Sequence, residues 1–104
     1  QQACLWREGQ VKILGELSKN GSSHAGAIND SGQIVGNAEV SQGDLLHGFL
    51  WQNGRMMDLN ALVPDRKGWI LGSAAGINNA GQIVCNGSHH DTMHAILLSP
   101  QAGA

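Results

Sequence analysis

The sequence has no tyrosine, a single phenylalanine and few charged residues, and these shortages narrow the classes of protein it can belong to. Charged residues make up 13% of its 104 residues, with six Lys and Arg against eight Asp and Glu. The resulting net charge of −2 predicts no basic surface for nucleic acid or for an anionic membrane. The apolar runs are also too short to cross a bilayer. We therefore expect no nucleic-acid partner and no membrane partner.

Cysteines are equally scarce, and the sequence lacks the motifs of cofactor and enzyme sites. Cys4 and Cys85 lie far apart in the chain, and their spacing allows either a disulfide or two separate small apolar residues in the core, which is usual for free cysteine. No Cys-x-x-Cys pair, phosphate-binding glycine loop or dinucleotide fingerprint is present. The eight carboxylates are scattered, so they give no support for a paired acid and base. We expect a protein without cofactors that is not an enzyme.

Glycine, in contrast, is abundant, with 15 residues, and much of the sequence repeats itself. Three segments recur at a similar spacing, and the length changes between them fall where loops are expected. The recurring segments are residues 5–9 with 50–54, 27–35 with 76–84, and 44–48 with 91–95. We therefore divide the chain into a first copy at 1–47, a second copy at 48–94, and the start of a third copy with a tail at 95–104.

Each copy is predicted to form four short β-strands separated by turns. Gly54 supplies the positive φ of a tight hairpin, and Asn29 and Asn78 begin longer turns that an Asx hydrogen bond can close. No stretch has the apolar period of an α-helix, so we expect essentially none. The predicted strands are 3–6, 10–14, 25–28 and 33–36 in the first copy, and 48–51, 55–59, 74–77 and 82–85 in the second.

Four antiparallel strands in every 40 to 50 residues are typical of the blades of a β-propeller. The sequence therefore predicts an all-β fold with two four-stranded antiparallel, blade-like repeats. A propeller closes with roughly four to eight blades, so two blades leave apolar faces and strand edges uncovered. We expect closure by oligomerisation, with a homotrimer of six blades favoured, or by further repeats in the remainder of a longer chain.

The motifs of both copies resemble the HAF repeat, a family of bacterial proteins named for a His-Ala-Phe triplet and described as a probable extracellular repeat. The resemblance rests on His-Gly-Phe-Leu-Trp-x-x-Gly at 47–54, on Met-Asp-Leu at 57–59, and on the core Ile-Asn-x-x-Gly-Gln-Ile-Val at 28–35 and 77–84. It implies a repeat scaffold and an extracellular or secreted location. The family has no established activity, so the resemblance supplies no catalytic residue.

An insertion peculiar to the second copy, residues 63–69, contains the first candidate for a ligand-binding site. Trp69 with Arg66 nearby offers an apolar platform and a polar side chain, as sites for sugars or proteins often do. Alternatively, Trp69 folds back and covers the apolar end of the unit, which a terminal repeat needs. Trp6 and Trp51 occupy equivalent strand ends and are predicted to lie in the core.

The second candidate is the histidine-rich segment 89–94, from which we include His90 and Asp91 in the predicted ligand-binding set. Adjacent residues of a strand point to opposite faces, so His89 and His90 would not face one metal ion. Asp-x-x-His recurs at 44–47, where a turn Asp followed by a His bonded to nearby backbone is the simpler interpretation. We predict no metal site. Ser and His are also adjacent at 22–24, but their spacing in sequence does not indicate a catalytic triad, which is recognised by geometry.

These observations predict a non-enzymatic β-repeat scaffold that mediates binding or assembly, with a carbohydrate or a protein as its ligand. The alternative is a small lectin-like carbohydrate-binding module that forms an oligomeric propeller, since two-blade chains that trimerise are a known route to such lectins. Lectin blades place equivalent residues in every blade. Arg66 and Trp69 have no counterparts in the first copy, and this favours the scaffold.

Overall fold

The chain is predominantly β in the computed structural model. The structure describes residues 2–7, 9–17, 21–40, 45–63, 68–89 and 92–100. Within these residues, 62% lie in strands and 5% in helix, and all strand pairs are antiparallel. The all-β prediction is confirmed. None of the described sheets closes on itself, and the propeller remains a prediction.

Nine described strands form three sheets, and each strand pairs only with its neighbours in sequence. Sheet A is the hairpin β1–β2, sheet B has the order β3-β4-β5-β6, and sheet C has the order β7-β8-β9. The strands are β1 (Cys4–Arg7), β2 (Gln10–Ile13), β3 (Ser23–Ile28), β4 (Ile34–Glu39), β5 (Leu46–Gln52), β6 (Arg55–Asp58), β7 (Ile70–Ile77), β8 (Ile83–His89) and β9 (Thr92–Leu98).

One helical turn, α1 (Leu59–Leu62), is the exception to the expected absence of helix. Asp58 caps its N-terminus, because a side-chain oxygen of Asp58 accepts a hydrogen bond from the backbone N–H of Asn60 at 2.8 Å. The described part of the chain contains no helix with the length and apolar character needed to cross a membrane.

The predicted turns are confirmed. Asn53 and Gly54 form a two-residue hairpin loop with φ of 53° and 81°, the pair of positive values that a type I′ turn requires. In the longer turns, the Oδ1 atom of Asn29 accepts hydrogen bonds from the N–H groups of Ser31 and Gln33 at 3.1 and 3.0 Å. Asn78 closes the equivalent turn in the same way.

The three sheets pack face to face, with sheet B in the middle. Ile34 and Val35 are neighbours in β4 and therefore point to opposite faces, yet both are buried. The core on the Ile34 side joins sheet B to the segment around sheet A and contains Ala3, Leu14, Ile34, Ala38, Phe49 and Trp51. The core on the other side joins sheet B to sheet C and contains Val35, Leu59, Leu71, Ala74, Ile83 and Cys85.

Hydrogen bonds also connect the two Asn turns, which lie side by side at the ends of sheets B and C. The side-chain amide of Asn29 donates to the backbone oxygen of Asn78 at 3.0 Å. The backbone N–H of Asp30 donates to Oδ1 of Asn79, and Nδ2 of Asn79 donates back to the Asp30 carboxylate, both at 2.8 Å. Equivalent turns of the two copies are thus held next to each other by direct hydrogen bonds.

The sheets are offset from the sequence copies. β5 crosses the boundary between residues 47 and 48, so sheet B takes β3 and β4 from the first copy and β5 and β6 from the second. Sheet C takes its third strand, β9, from the end of the second copy and the start of the third. Only sheet B therefore has four described strands, and it lies between a two-stranded and a three-stranded sheet. The division at 1–47 and 48–94 remains a prediction about the sequence repeat.

Candidate functional site

Trp69 is the one residue of the predicted ligand-binding set that the structure describes; Arg66, His90 and Asp91 lie outside the described residues. Its half-buried indole lies just before β7. The ring stacks on His89, with centroids 4.9 Å apart, and meets His94 edge-on at 5.3 Å. The fold thus brings the insertion of the second copy next to the histidine-rich segment, which sequence analysis had treated as two separate candidates.

Trp69 also lines a small apolar cavity of about 190 Å³ at the edge of the core between sheets B and C. Its other lining residues are Val63, Leu71, Ile96 and Leu98. Apart from the indole N–H of Trp69, the described side chains that line the cavity carry no polar group that could orient a sugar hydroxyl. This arrangement favours the interpretation that Trp69 covers the end of a core over the interpretation that it is a binding platform.

A larger cleft of about 740 Å³ lies between sheets B and C beside α1. Its volume falls in the range of roughly 300–1,000 Å³ that small-molecule sites occupy. None of its lining residues carries a titratable side chain. The side-chain amide of Gln33 already has hydrogen-bond partners. Its Nε2 atom donates to Oε1 of Gln52 at 2.7 Å, and its Oε1 atom accepts from Nδ2 of Asn29 at 2.7 Å. The described lining thus contains no acidic or basic side chain, and its one hydroxyl, that of Ser99, accepts a hydrogen bond from the side-chain amide of Gln82 at 3.3 Å.

A polar network that sequence analysis missed connects β5, α1 and β7. The Nδ1 atom of His47 lies 2.8 Å from a carboxylate oxygen of Asp58. Burial acts to raise the pKa of Asp58, but hydrogen bonds from His47 and Asn60 outweigh it and hold that pKa below its ordinary value. Asn60 then accepts from the backbone N–H of Leu71 at 2.8 Å and donates to its carbonyl at 3.0 Å.

This network is structural, since it fixes α1 and joins sheet B to sheet C. The recurring Asp-x-x-His pattern pointed to Asp44, which lies outside the described residues, while the partner of His47 is Asp58, eleven residues further on. The described residues contain no group of three or more side chains suited to hold a metal ion.

Ser23 and His24, the adjacent Ser and His of the sequence, do not contact each other as a catalytic pair would. The buried Ser23 hydroxyl accepts from the N–H of Ala3 at 2.8 Å and donates to the carbonyl of Gly15 at 3.1 Å. His24, the next residue of β3, is exposed and points to the opposite face. The Ser23 hydroxyl thus ties the chain around sheet A to sheet B, and the pair does not form a nucleophile with its base.

Sheet A exposes an apolar surface on the side turned away from sheet B. Trp6 pairs with Val11, and Cys4 pairs with Ile13, so these four side chains share one face. The exposed fractions of Trp6, Val11 and Ile13 are 70%, 67% and 60%. We call this surface, formed by Cys4, Trp6, Val11 and Ile13, the leading face.

The exposure of Trp6 and Cys4 at this face corrects the expectation that these residues lie in the core. Trp51 is buried, as predicted, because sheet A covers it, and the Nζ atom of Lys12 lies 5.4 Å from its ring. Trp6 was predicted to be in the core but is exposed, because no described sheet covers its side of sheet A. Cys4 is exposed for the same reason, while Cys85 is buried, and burial raises the pKa of its thiol. Both cysteines are free.

Sheet C exposes a second apolar surface at the opposite end of the stack. Val84 pairs with Leu97, while Ile70 and Met93 both pair with Ser88, so these apolar side chains share the face away from sheet B. We call this surface, formed by Ile70, Val84, Met93 and Leu97, the trailing face. Each of its four members is at least 41% exposed.

Both end faces contain residues whose equivalents are covered inside the stack. Val84 is equivalent to Val35, which is fully buried between sheets B and C. Leu97 is equivalent to Leu50, which packs against that same core. Val84 and Leu97 therefore hold positions of a kind that is covered inside the stack, although no described sheet covers them.

Comparisons with known proteins add no relative: no family model, no curated protein and no solved structure matches the chain. The resemblance to the HAF repeat accordingly rests on the sequence motifs quoted above. The geometry of the stack and its end faces is the basis on which a function can be assigned.

Proposed function

We propose that this chain is a non-enzymatic scaffold of stacked β-sheets that mediates assembly through its leading and trailing faces. One observation carries the proposal: the end faces repeat side chains that are buried between sheets inside the same chain. Contiguous exposed apolar patches mark interaction sites in soluble proteins. The stack is therefore built to continue at both ends, with other copies or with further repeats of a longer chain.

In its finer form, the proposal treats the stacked sheets as blades of a β-propeller. Face-to-face packing of antiparallel meanders and the alignment of equivalent turns support this form. A homotrimer that completes six blades is the favoured assembly. The HAF-repeat resemblance supports a repeat scaffold with an extracellular or secreted location.

The lectin-like alternative receives no support from the described residues. One side of the Trp69 ring is stacked on His89, and the other described residues that line the cavity beside it are aliphatic. A glycan array tests this alternative, with Trp69→Ala as the matched variant. The scaffold predicts equal, background signals for both proteins, whereas a glycan bound only by the unaltered chain would establish the lectin.

Light scattering on a sizing column tests the scaffold directly. We expect a species near three times the 10.9 kDa chain mass, and a lower mass after Trp6→Glu or Leu97→Glu. Binding of a hydrophobic dye provides a second measurement, because an uncovered face binds dye and its glutamate variant binds less. A chain that stays monomeric and binds no dye at either face contradicts the proposal.

A further inference from the structure

We propose that the leading face of one copy docks on the trailing face of a second copy, so that copies join head to tail. The inference rests on the proposed function and adds the partner, the two surfaces and their orientation. It identifies the occupant of each face as the other face of an identical chain.

The trailing face is the kind of surface on which the next sheet lies. Inside the chain, Val35 and Leu50 lie on the side of sheet B that sheet C covers. Val84 and Leu97 hold the equivalent positions of sheet C, on the side away from sheet B. A sheet placed there would bury Val84, which is 47% exposed, in the manner of Val35, which is 0% exposed.

The leading face is the complementary kind of surface. Trp51 lies on the side of sheet B that faces the preceding sheet, and its exposed fraction there is 6%. Trp6 holds the equivalent position of sheet A and is 70% exposed. Each sheet has one side equivalent to the Val35 side of sheet B and one side equivalent to the Trp51 side. Inside the chain, every interface between sheets joins a side of the first kind to a side of the second kind. Docking the two open faces repeats that arrangement.

Charge poses no obstacle to this contact. None of the described side chains that strand register places on either face is charged, so docking takes none of their groups out of water as an ion. The polar side chain of Asn86 on the trailing face already has a partner in its own sheet, Ser73, at 3.5 Å. Because the two faces differ, the contact is heterologous, and it yields a ring if the rotation closes and an open chain if it does not.

A mixing experiment tests the orientation. Trp6→Glu removes the leading face and leaves the trailing face intact, while Leu97→Glu does the reverse. We expect each variant to be monomeric by light scattering and the equimolar mixture to form a one-to-one dimer through the single intact pair of faces. Leu45→Glu is the matched control, since Leu45 is 44% exposed but lies on neither face, and it should assemble like the unaltered chain.

Chemical cross-linking gives an independent measurement through Cys4, the exposed thiol of the leading face. A short bis-maleimide should join Cys4 to the thiol of the Ala95→Cys variant in a neighbouring copy, because Ala95 lies in the trailing face beside Asn86. The same substitution at an exposed turn, Ser31→Cys, should give only background cross-linking. Circular dichroism checks folding, and Val84→Thr replaces Leu97→Glu as the trailing-face variant if Leu97→Glu fails to fold.

The outcomes separate this inference from the proposed function. If Trp6→Glu alone still dimerises, trailing faces pair with each other; head-to-tail docking is then overturned while assembly through the end faces stands. A monomeric chain whose faces bind dye also overturns the docking of identical copies but leaves the scaffold intact. If the unaltered chain assembles and neither glutamate variant changes its mass, both the docking and the proposed function fail.

Discussion

At the scale of single residues, side-chain amides and one carboxylate organise this protein. Asn29 and Asn78 close turns, Asn60 satisfies both backbone groups of Leu71, and Asp58 caps α1. Buried polar groups cost free energy unless they are paired, so the contacts of Asn29 and Asn60, which are buried, each fix one backbone path among many. A sequence with 13% charged residues thus achieves specificity mainly through neutral hydrogen bonds.

The first prediction concerns the pH dependence that Asp58 gives to stability. Its pKa is lower in the folded chain than the ordinary value of 3.8, so the unfolded chain binds more protons near that pH. The stabilisation is therefore complete above pH 3.8 and is lost as pH falls through the folded pKa. We expect Asp58→Asn to be less stable than the unaltered chain at pH 7, with a difference that shrinks in acid.

Urea unfolding at a series of pH values measures this difference. Glu39 also has a lowered pKa, because the N–H of Ser22 donates to its carboxylate, but it is present in both proteins and cancels in the comparison. A difference in the free energy of unfolding that stays constant down to pH 3 would show that the charge of Asp58 does not contribute.

Residue-scale predictions from sequence succeeded where the determining contacts are local. Asn29 closes its turn with N–H groups two and four residues away, and those partners are visible in the sequence. Trp6 and Trp51 have the same local sequence, Leu-Trp before a turn, but opposite exposure. Local pattern could not separate them, because burial depends on whether another sheet lies on that face.

At the scale of elements, the connection between strands decides which of them share a sheet. β2 and β3 belong to different sheets, whereas β4 and β5 both belong to sheet B. Neither connection, residues 14–22 or residues 40–45, carries a sequence motif that indicates which one changes sheet. The strands were therefore predicted well, but the predicted grouping by sequence copy differs from the observed sheets.

The second prediction concerns the contact between the Asn turns of sheets B and C. Asn29→Ala removes an Asx turn and the hydrogen bond from Nδ2 to the oxygen of Asn78, and Asn29 is only 8% exposed. We expect a loss of about 1–3 kcal/mol in the free energy of unfolding, since buried partners are left unsatisfied.

Asn78→Ala is the matched variant, because it removes the same kind of Asx turn from an exposed position. The hydrogen bonds of the Asn78 side chain to described residues all lie within its own turn. We expect a smaller loss, about 0.5–1.5 kcal/mol. Urea unfolding of both variants measures the contrast. Equal losses would show that the bond between the sheets does not stabilise their alignment.

At the scale of the whole molecule, a stack of similar sheets stabilises its members through contacts between neighbours. Sheet B has a neighbour on both faces, so Ile34 and Val35 are both buried. Sheets A and C each have one neighbour among the described residues. The same side chains therefore stabilise the fold in the middle of the stack and remain available for assembly at its ends.

The last prediction separates these two roles with one substitution at two equivalent positions. Trp51→Ala empties a buried site between sheets A and B and should lower the free energy of unfolding by about 3–5 kcal/mol. Trp6→Ala removes an indole that is 70% exposed, and the unfolding free energy of the dilute, unassembled chain should change by less than about 1 kcal/mol. Concentrated Trp6→Ala should nevertheless assemble less than the unaltered chain.

Urea unfolding at low concentration and light scattering at high concentration measure the two effects on the same samples. If Trp6→Ala is as destabilising as Trp51→Ala in the dilute chain, then Trp6 belongs to the core of the single molecule, and the leading face is not an open surface. If assembly is unchanged, the stack ends at sheet A. A variant that keeps its stability and loses assembly would show that repeated sequence serves folding inside the stack and association at its end.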